Sequence, residues 1–221
     1  MRRILIVMML MSFAGCSSTG ESPGNASPVP TPVASPSIAA STETAESEKA
    51  KEEVVTSARK LKDLKFWSAK TEIEGNPALS GEIQYIAPDR FHFKQGGNEA
   101  IVVGDQTFAK ENGKWVKADY DMSGFKKIQE NALTEEDVKK IQNVQVLGEE
   151  TLNGKRTTIY VHRSGGPSID SVTKMWIDRE NGLVMKSVVE NRVGKQTQRI
   201  VTTYDFDTPV TIEAPKIGSG N

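Results

Sequence analysis

Three Asn-Gly pairs, Asn112-Gly113, Asn153-Gly154 and Asn181-Gly182, each stand between segments that read as strands. Both residues of such a pair tolerate the positive φ of a type I′ turn, whose twist suits the strands it joins. A chain punctuated in this way is committed to hairpins, and so to antiparallel sheet. The flanking pattern agrees. Residues 66–73 are aromatic and β-branched and stop at Gly75-Asn76-Pro77. Ile83 and Tyr85 alternate with Glu82 and Gln84, and Phe91 and Phe93 alternate with Arg90, His92 and Lys94, the period of a strand with two unlike faces. Further short strands are expected at 100–103, 107–110 and 114–117.

Between residues 121 and 142 the period becomes helical. Phe125, Ile128 and Ala132 fall on one face, and Thr134 with Asp137 forms a capping box for a short helix carrying Val138 and Ile141. Strands return at Val144. Thr157, Ile159 and Val161 share a face of the segment 155–163, and 172–178, 183–190 and 198–207 complete a meander. In the last segment Ile200, Thr202, Tyr204 and Phe206 oppose Val201, Thr203 and Asp205. Ahead of the strands, residues 42–64 form an amphipathic helix with a thin stripe of Val54, Ala58 and Leu61.

The fold class is therefore α+β, with one antiparallel sheet of about ten or eleven strands. A sheet that wide curls or splits, and the helices are too few to cover it flat. The expectation is a curled sheet with helices over a hollow lined by apolar side chains. Candidate lining residues are Trp67, Ile83, Tyr85, Phe91, Phe93, Val102, Ile159, Val161, Met185, Ile200 and Tyr204. The concave side is expected to be the one shared by Phe93 and Val161.

The N-terminus carries a different signal. Arg2-Arg3 precedes the apolar run Ile4 to Met11, which closes on Phe13-Ala14-Gly15-Cys16. That ending resembles the lipobox of bacterial lipoproteins, with Phe13 where leucine is usual; the resemblance implies cleavage before Cys16 and a diacylglycerol on its thiol. The apolar run is too short to cross a bilayer. Ser17 to Ala40 is rich in Ser, Thr, Ala and Pro, with Glu21 its only charge, and reads as an extended tether. The expected organisation is a signal peptide at 1–15, lipidated Cys16 and tether at 16–41, a domain at 42–215 and a tail at 216–221.

Catalytic chemistry has little to build from. Cys16 is the only cysteine, His92 and His162 are the only histidines, and neither a Gly-x-Ser-x-Gly elbow nor a His-Glu-x-x-His pair occurs. No enzyme, metal or cofactor is expected. Asp119 to Gly124 with Glu130 matches the spacing of a calcium loop. However, a strand precedes it where a helix should enter, and Lys126 and Lys127 crowd the supposed cation, so a helix start is the reading. With a net charge of −1 and both signs interspersed, no nucleic-acid surface is expected.

Two stretches carry a family resemblance: Trp176-Ile177-Asp178-Arg179-Glu180-Asn181-Gly182-Leu183-Val184-Met185-Lys186, and the ending Tyr204-Asp205-Phe206-Asp207-Thr208-Pro209-Val210-Thr211-Ile212-Glu213-Ala214-Pro215. With the order of elements, they resemble the LolA/LppX-like family of envelope lipoproteins over residues 54–215. The resemblance implies a half-barrel with helices over its concave face and a cavity for the acyl chains of lipids. It also implies an extracytoplasmic place in a bacterial envelope and a membrane anchor through Cys16. An envelope sensor or structural lipoprotein acting through a protein partner is the alternative for the same fold.

Overall fold

The structure, a computed structural model, describes residues 45–119, 134–166, 169–194 and 196–217, all within the compact unit Ala40–Asn221. Helix α1 (Ala45–Lys60) leads into a 3-10 turn, Leu61–Asp63. Strands β1 (Phe66–Ile73), β2 (Gly81–Ile86), β3 (Arg90–Gln95), β4 (Asn98–Val103), β5 (Gln106–Glu111) and β6 (Lys114–Ala118) form the first meander. After α2 (Glu135–Lys140) come β7 (Gln142–Leu152), β8 (Lys155–Gly166), β9 (Ile169–Asp178), β10 (Val184–Val193) and β11 (Gln196–Asp205).

All eleven strands belong to one antiparallel sheet, in the order β6-β5-β4-β3-β2-β1-β11-β10-β9-β8-β7. Every neighbour is also a neighbour in sequence except β1 and β11, which pair from Ser68 with Asp205 to Ile73 with Ile200 and zip the two meanders together. The sheet is curled and unclosed, its edges being β6 and β7. This is the expected α+β half-barrel.

The turns follow from local chemistry. Asn112 and Gly113 have φ of 49° and 78°, and Asn153 and Gly154 of 51° and 78°, as type I′ hairpins require. The third pair behaves differently. Between β9 and β10 only Gly182 has positive φ, at 70°. There Asp178 Oδ1 accepts the Glu180 N–H and Asn181 Oδ1 accepts the Leu183 N–H, each at 2.8 Å. A carboxylate and a carboxamide, each accepting from the backbone two residues on, make a longer loop where a two-residue hairpin was expected. The capping box of α2 is present: Asp137 N–H donates to Thr134 Oγ1 at 3.2 Å, and Thr134 N–H to Asp137 Oδ2 at 3.2 Å.

Paired residues in an antiparallel ladder point to the same side, so the registers assign each side chain to a face. Trp67, Ala69, Thr71 and Ile73 of β1 share a face with Tyr85 and Ile83, Phe91 and Phe93, and Val102 and Ala100 in one direction. In the other direction they share it with Tyr204, Thr202 and Ile200, then Ser187 and Val189, then Met175 and Thr173, then Tyr160 and His162. Helix α1 covers the part of this inner face made by β8, β9 and β10, burying Ala50, Val54 and Val55 against Tyr160, Met175, Ile177 and Val184.

Two expectations need correction. Ile159 pairs with Trp176 and Val161 with Lys174, so both lie on the outer face, opposite Phe93. They are nonetheless buried, because the outer face has its own small core: Ile159, Trp176 and Val188 pack there with Leu152 and Val201. The side chains of β8 alternate as expected, but both of its faces are covered, and polarity alone does not say which one belongs with Phe93. Helix α1 also ends at Lys60, its continuation to Leu64 tightening into the 3-10 turn. Its buried side is Ala50, Val54, Val55 and Ser57, whereas Ala58 and Leu61 are half-buried.

The outer face of the first meander is closed by the C-terminal segment. Ile212, 2% exposed, packs with Val210 on Ile101, Phe108, Ile86, Val103 and Trp115. Arg90 Nη1 donates to the Ile212 carbonyl at 3.0 Å. Asp205 Oδ1 accepts the N–H groups of Asp207 and Thr208 at 2.9 and 3.0 Å, turning the chain out of β11. A hydrogen bond from the Thr208 side chain first, and these backbone bonds after it, hold the Asp205 carboxyl below its usual range.

Candidate functional site

The inner face carries an unbroken lane of aromatic rings across β3, β2, β1 and β11. Phe93 stacks on Phe91 at 5.8 Å, Phe91 meets Tyr85 at 5.0 Å, and Tyr85 meets Trp67 at 5.6 Å. Trp67 then meets Tyr204 edge-on at 6.4 Å, and Tyr204 stacks on Phe206 at 5.9 Å. The spacing follows from register: residues directly opposite or two apart on one face bring large side chains into reach. Phe91, Tyr85 and Val102 are almost fully buried, while Phe93, Ile83, Tyr204 and Phe206 are partly open. Burial pushes the phenols of Tyr85 and Tyr204 up, with Asp89 adding to the shift at Tyr85, so both stay neutral.

Tyr204 belongs equally to the layer beneath α1, since it packs against both inner clusters. Besides its apolar stripe, α1 is fastened by polar contacts. Tyr160, 4% exposed, donates its hydroxyl to Glu53 in a short hydrogen bond. Burial first, and this bond second, raise its pKa strongly. Arg59 bonds Glu135 of α2 at 2.7 Å, and Lys60 Nζ donates to the Asn181 carbonyl at 2.7 Å. Gly182 leaves room for that ammonium: a Cβ there would stand 2.6 Å from it. Tyr160→Phe is expected to cost about 1.5 kcal/mol in urea unfolding, the low end for a charged acceptor, because exposed Glu53 regains water. An unchanged midpoint would mean that the bond contributes nothing to holding α1.

No protein-family model and no curated protein matches the chain. Solved structures do. LppX, a lipoprotein of Mycobacterium tuberculosis, superposes with a TM-score of 0.57 at 15% identity, over 75% of this chain and 99% of LppX. LprF of Mycobacterium bovis gives 0.58 at 16% identity, over 77% and 98%. The chain has the LppX fold. At the level of fold this bears out the resemblance read from the two sequence stretches.

Within the LppX-like sheet, nine of the eleven side chains expected to line a hollow share the inner face: Trp67, Ile83, Tyr85, Phe91, Phe93, Val102, Met185, Ile200 and Tyr204. Met185 sits in the bulge between Val184 and Lys186 and continues the inner side of β10. Ile159 and Val161 are the exceptions already described. Cys16, the tether, Phe125, Ile128 and Ala132 lie outside the described residues, as does the Asp119 loop beyond Asp119 itself.

The outer face of the LppX-like sheet has another chemistry. A cleft of about 410 Å³ opens along it, and outward-facing Lys70 and Glu82 line it. A second cleft, of about 700 Å³, is lined from both faces: Ala69, Ile83, Met185, Tyr204 and Phe206 join outward-facing Lys70, Glu72, Glu82 and Gln84, with Lys155 and Asp207 at the same cleft. Lys155 closes on Asp207 at 2.7 Å. His92 meets Gln84 at 3.2 Å and Glu99 at 2.8 Å, and Lys110, also at 2.8 Å, is the main cause of the lowered Glu99 carboxyl. Among the described residues no three His, Cys, Asp or Glu side chains gather as metal ligands. Sequence reasoning missed Ser57 and the inward turn of His162; the serine interrupts an apolar stripe, and the histidine sits in a strand of mixed polarity.

Proposed function

We propose that this chain is a non-enzymatic lipoprotein, anchored through Cys16 on the extracytoplasmic side of a bacterial membrane, that binds and transports lipids by their acyl chains on its inner face. The observation that carries the reading is the aromatic lane from Phe93 to Phe206 with partly open rings at its ends. It is an apolar surface on the side that α1 covers, and it runs on to Tyr204, which also packs in the layer beneath α1. Shielding acyl chains there stabilises the complex by about 0.8 kcal/mol per buried CH₂, and no reacting group is needed. The lipobox-like ending at Cys16 and the lipoprotein nature of LppX support the anchor.

Two measurements test it. Full-length Cys16→Ser, purified without detergent so that no anchor contributes acyl chains, should release lipid on solvent extraction, seen by mass spectrometry. Repeated lipid-free preparations that also take up none from vesicles would sink the carrier reading and favour a structural or partner-binding lipoprotein. In cells fed radiolabelled palmitate, the label should appear on the wild-type chain and vanish in Cys16→Ser, and equal labelling would remove the anchor.

A further inference from the structure

Three buried side-chain atoms lack a hydrogen-bond partner among the described residues: Ser57 Oγ, Trp67 Nε1 and His162 Nδ1. Ser57 is on the buried side of α1, and Trp67 and His162 point to the inner face. None of the three belongs to the polar outer face. Buried donors are almost always paired, and an unpaired one marks a place where a further group belongs. Trp67 is the most telling. It is only 8% exposed, it stands on β1 at the middle of the sheet, and rings flank it on both sides, Tyr85 at 5.6 Å and Tyr204 at 6.4 Å. The outward-facing Trp176, by contrast, spends its N–H on Glu150 at 2.7 Å.

We infer that Trp67 Nε1 is the donor that fixes a polar oxygen of the bound lipid within the aromatic lane; this rests on the lipid-binding reading above. An indole N–H can only donate, so the ligand must supply an acceptor. The kind of acceptor follows from the surroundings. The inward positions of β1, β2, β3 and β11 around Trp67, such as Ala69, Ile83, Phe91 and Thr202, carry no charged side chain. A carboxylate brought there would lose its water without meeting a cation, a heavy penalty. An uncharged carbonyl or ether-type oxygen loses far less, and the single N–H satisfies it. Trp67 therefore acts as a specificity-determining residue: it selects chains bearing a neutral oxygen over bare hydrocarbon and over the free acid.

The test uses the full-length chain and three probes of one chain length, decane, methyl decanoate and decanoate, each displacing the neutral dye Nile red. Methyl decanoate should bind wild type most tightly. Trp67→Phe, which keeps a ring but removes the donor, should weaken methyl decanoate about five- to tenfold and leave decane unchanged. Equal weakening of both, or none of either, overturns the inference while leaving the lipid-binding reading intact. Failure of all three probes to displace the dye from wild type overturns both. Should Trp67→Phe not fold, the indole ¹⁵N–¹H resonance of Trp67 in the wild type decides. It should move downfield with methyl decanoate and not with decane; the same response to both probes overturns the assignment.

Discussion

Replacing Phe91 by alanine is expected to lower the free energy of unfolding by about 3–5 kcal/mol, the range for a buried phenylalanine truncated in a close-packed site. Phe91 is 2% exposed, pairs across the ladder with Tyr85 and Val102, and touches rings on two sides, Tyr85 at 5.0 Å and Phe93 at 5.8 Å. Its removal takes away apolar burial and two ring contacts at once, and the strands around it are held by register and cannot collapse into the gap. Phe93, half-buried on the same strand, should cost clearly less when truncated. Urea unfolding of both lipid-free variants checks this. If the two losses were equal and below about 1 kcal/mol, neither ring would sit in packed core and the lane would be surface throughout.

That contrast between Phe91 and Phe93 also shows where sequence reading stops. Their shared face, and the alternation along β2, β3, β8 and β11, was legible because the period of a strand is two residues and nothing else fits Arg90 to Lys94. About ten or eleven strands and the α2 capping box were legible for the same local reasons, while the curl followed from the width of the sheet and the half-barrel from the family resemblance. What local pattern does not carry is the relation between distant faces. Placing Val161 beside or against Phe93 requires counting registers through β2, β1, β11, β10 and β9, including the bulge at Val184 and Lys186. One residue of error reverses the answer. The outer core around Ile159, Trp176 and Val188 made the wrong answer plausible, because it gives a half-barrel strand two apolar faces. Ring order along the lane depends on the same long-range pairing, and so does the isolation of Trp67 Nε1. A sequence shows that Trp67 is inside a strand; only the assembled sheet shows that its donor meets no acceptor among the described residues.

The second large effect concerns pH. His162 is 6% exposed on the inner face, and burial depresses its pKa below the ordinary value of a histidine, an effect only partly offset by a backbone hydrogen bond at Arg163. In the unfolded chain the same imidazole titrates near 6.5. Above that pH both states hold it neutral and it contributes nothing to pH dependence. As the pH falls through 6.5, the unfolded state takes up a proton that the folded state refuses, so stability declines, by at most roughly 1.4 kcal/mol per pH unit, until the folded pKa is reached. His162→Gln removes this term and keeps a polar side chain of similar length. Urea midpoints of the two proteins should therefore run parallel above pH 7 and separate as the pH is lowered towards 5, with wild type falling faster. The lowered carboxyls of Asp205 and Glu99 titrate in both proteins and cancel in the difference. A wild type that grew more stable than His162→Gln on acidification would mean that His162 gains a proton and a partner in the folded state, and that the inner face around β8 is wet.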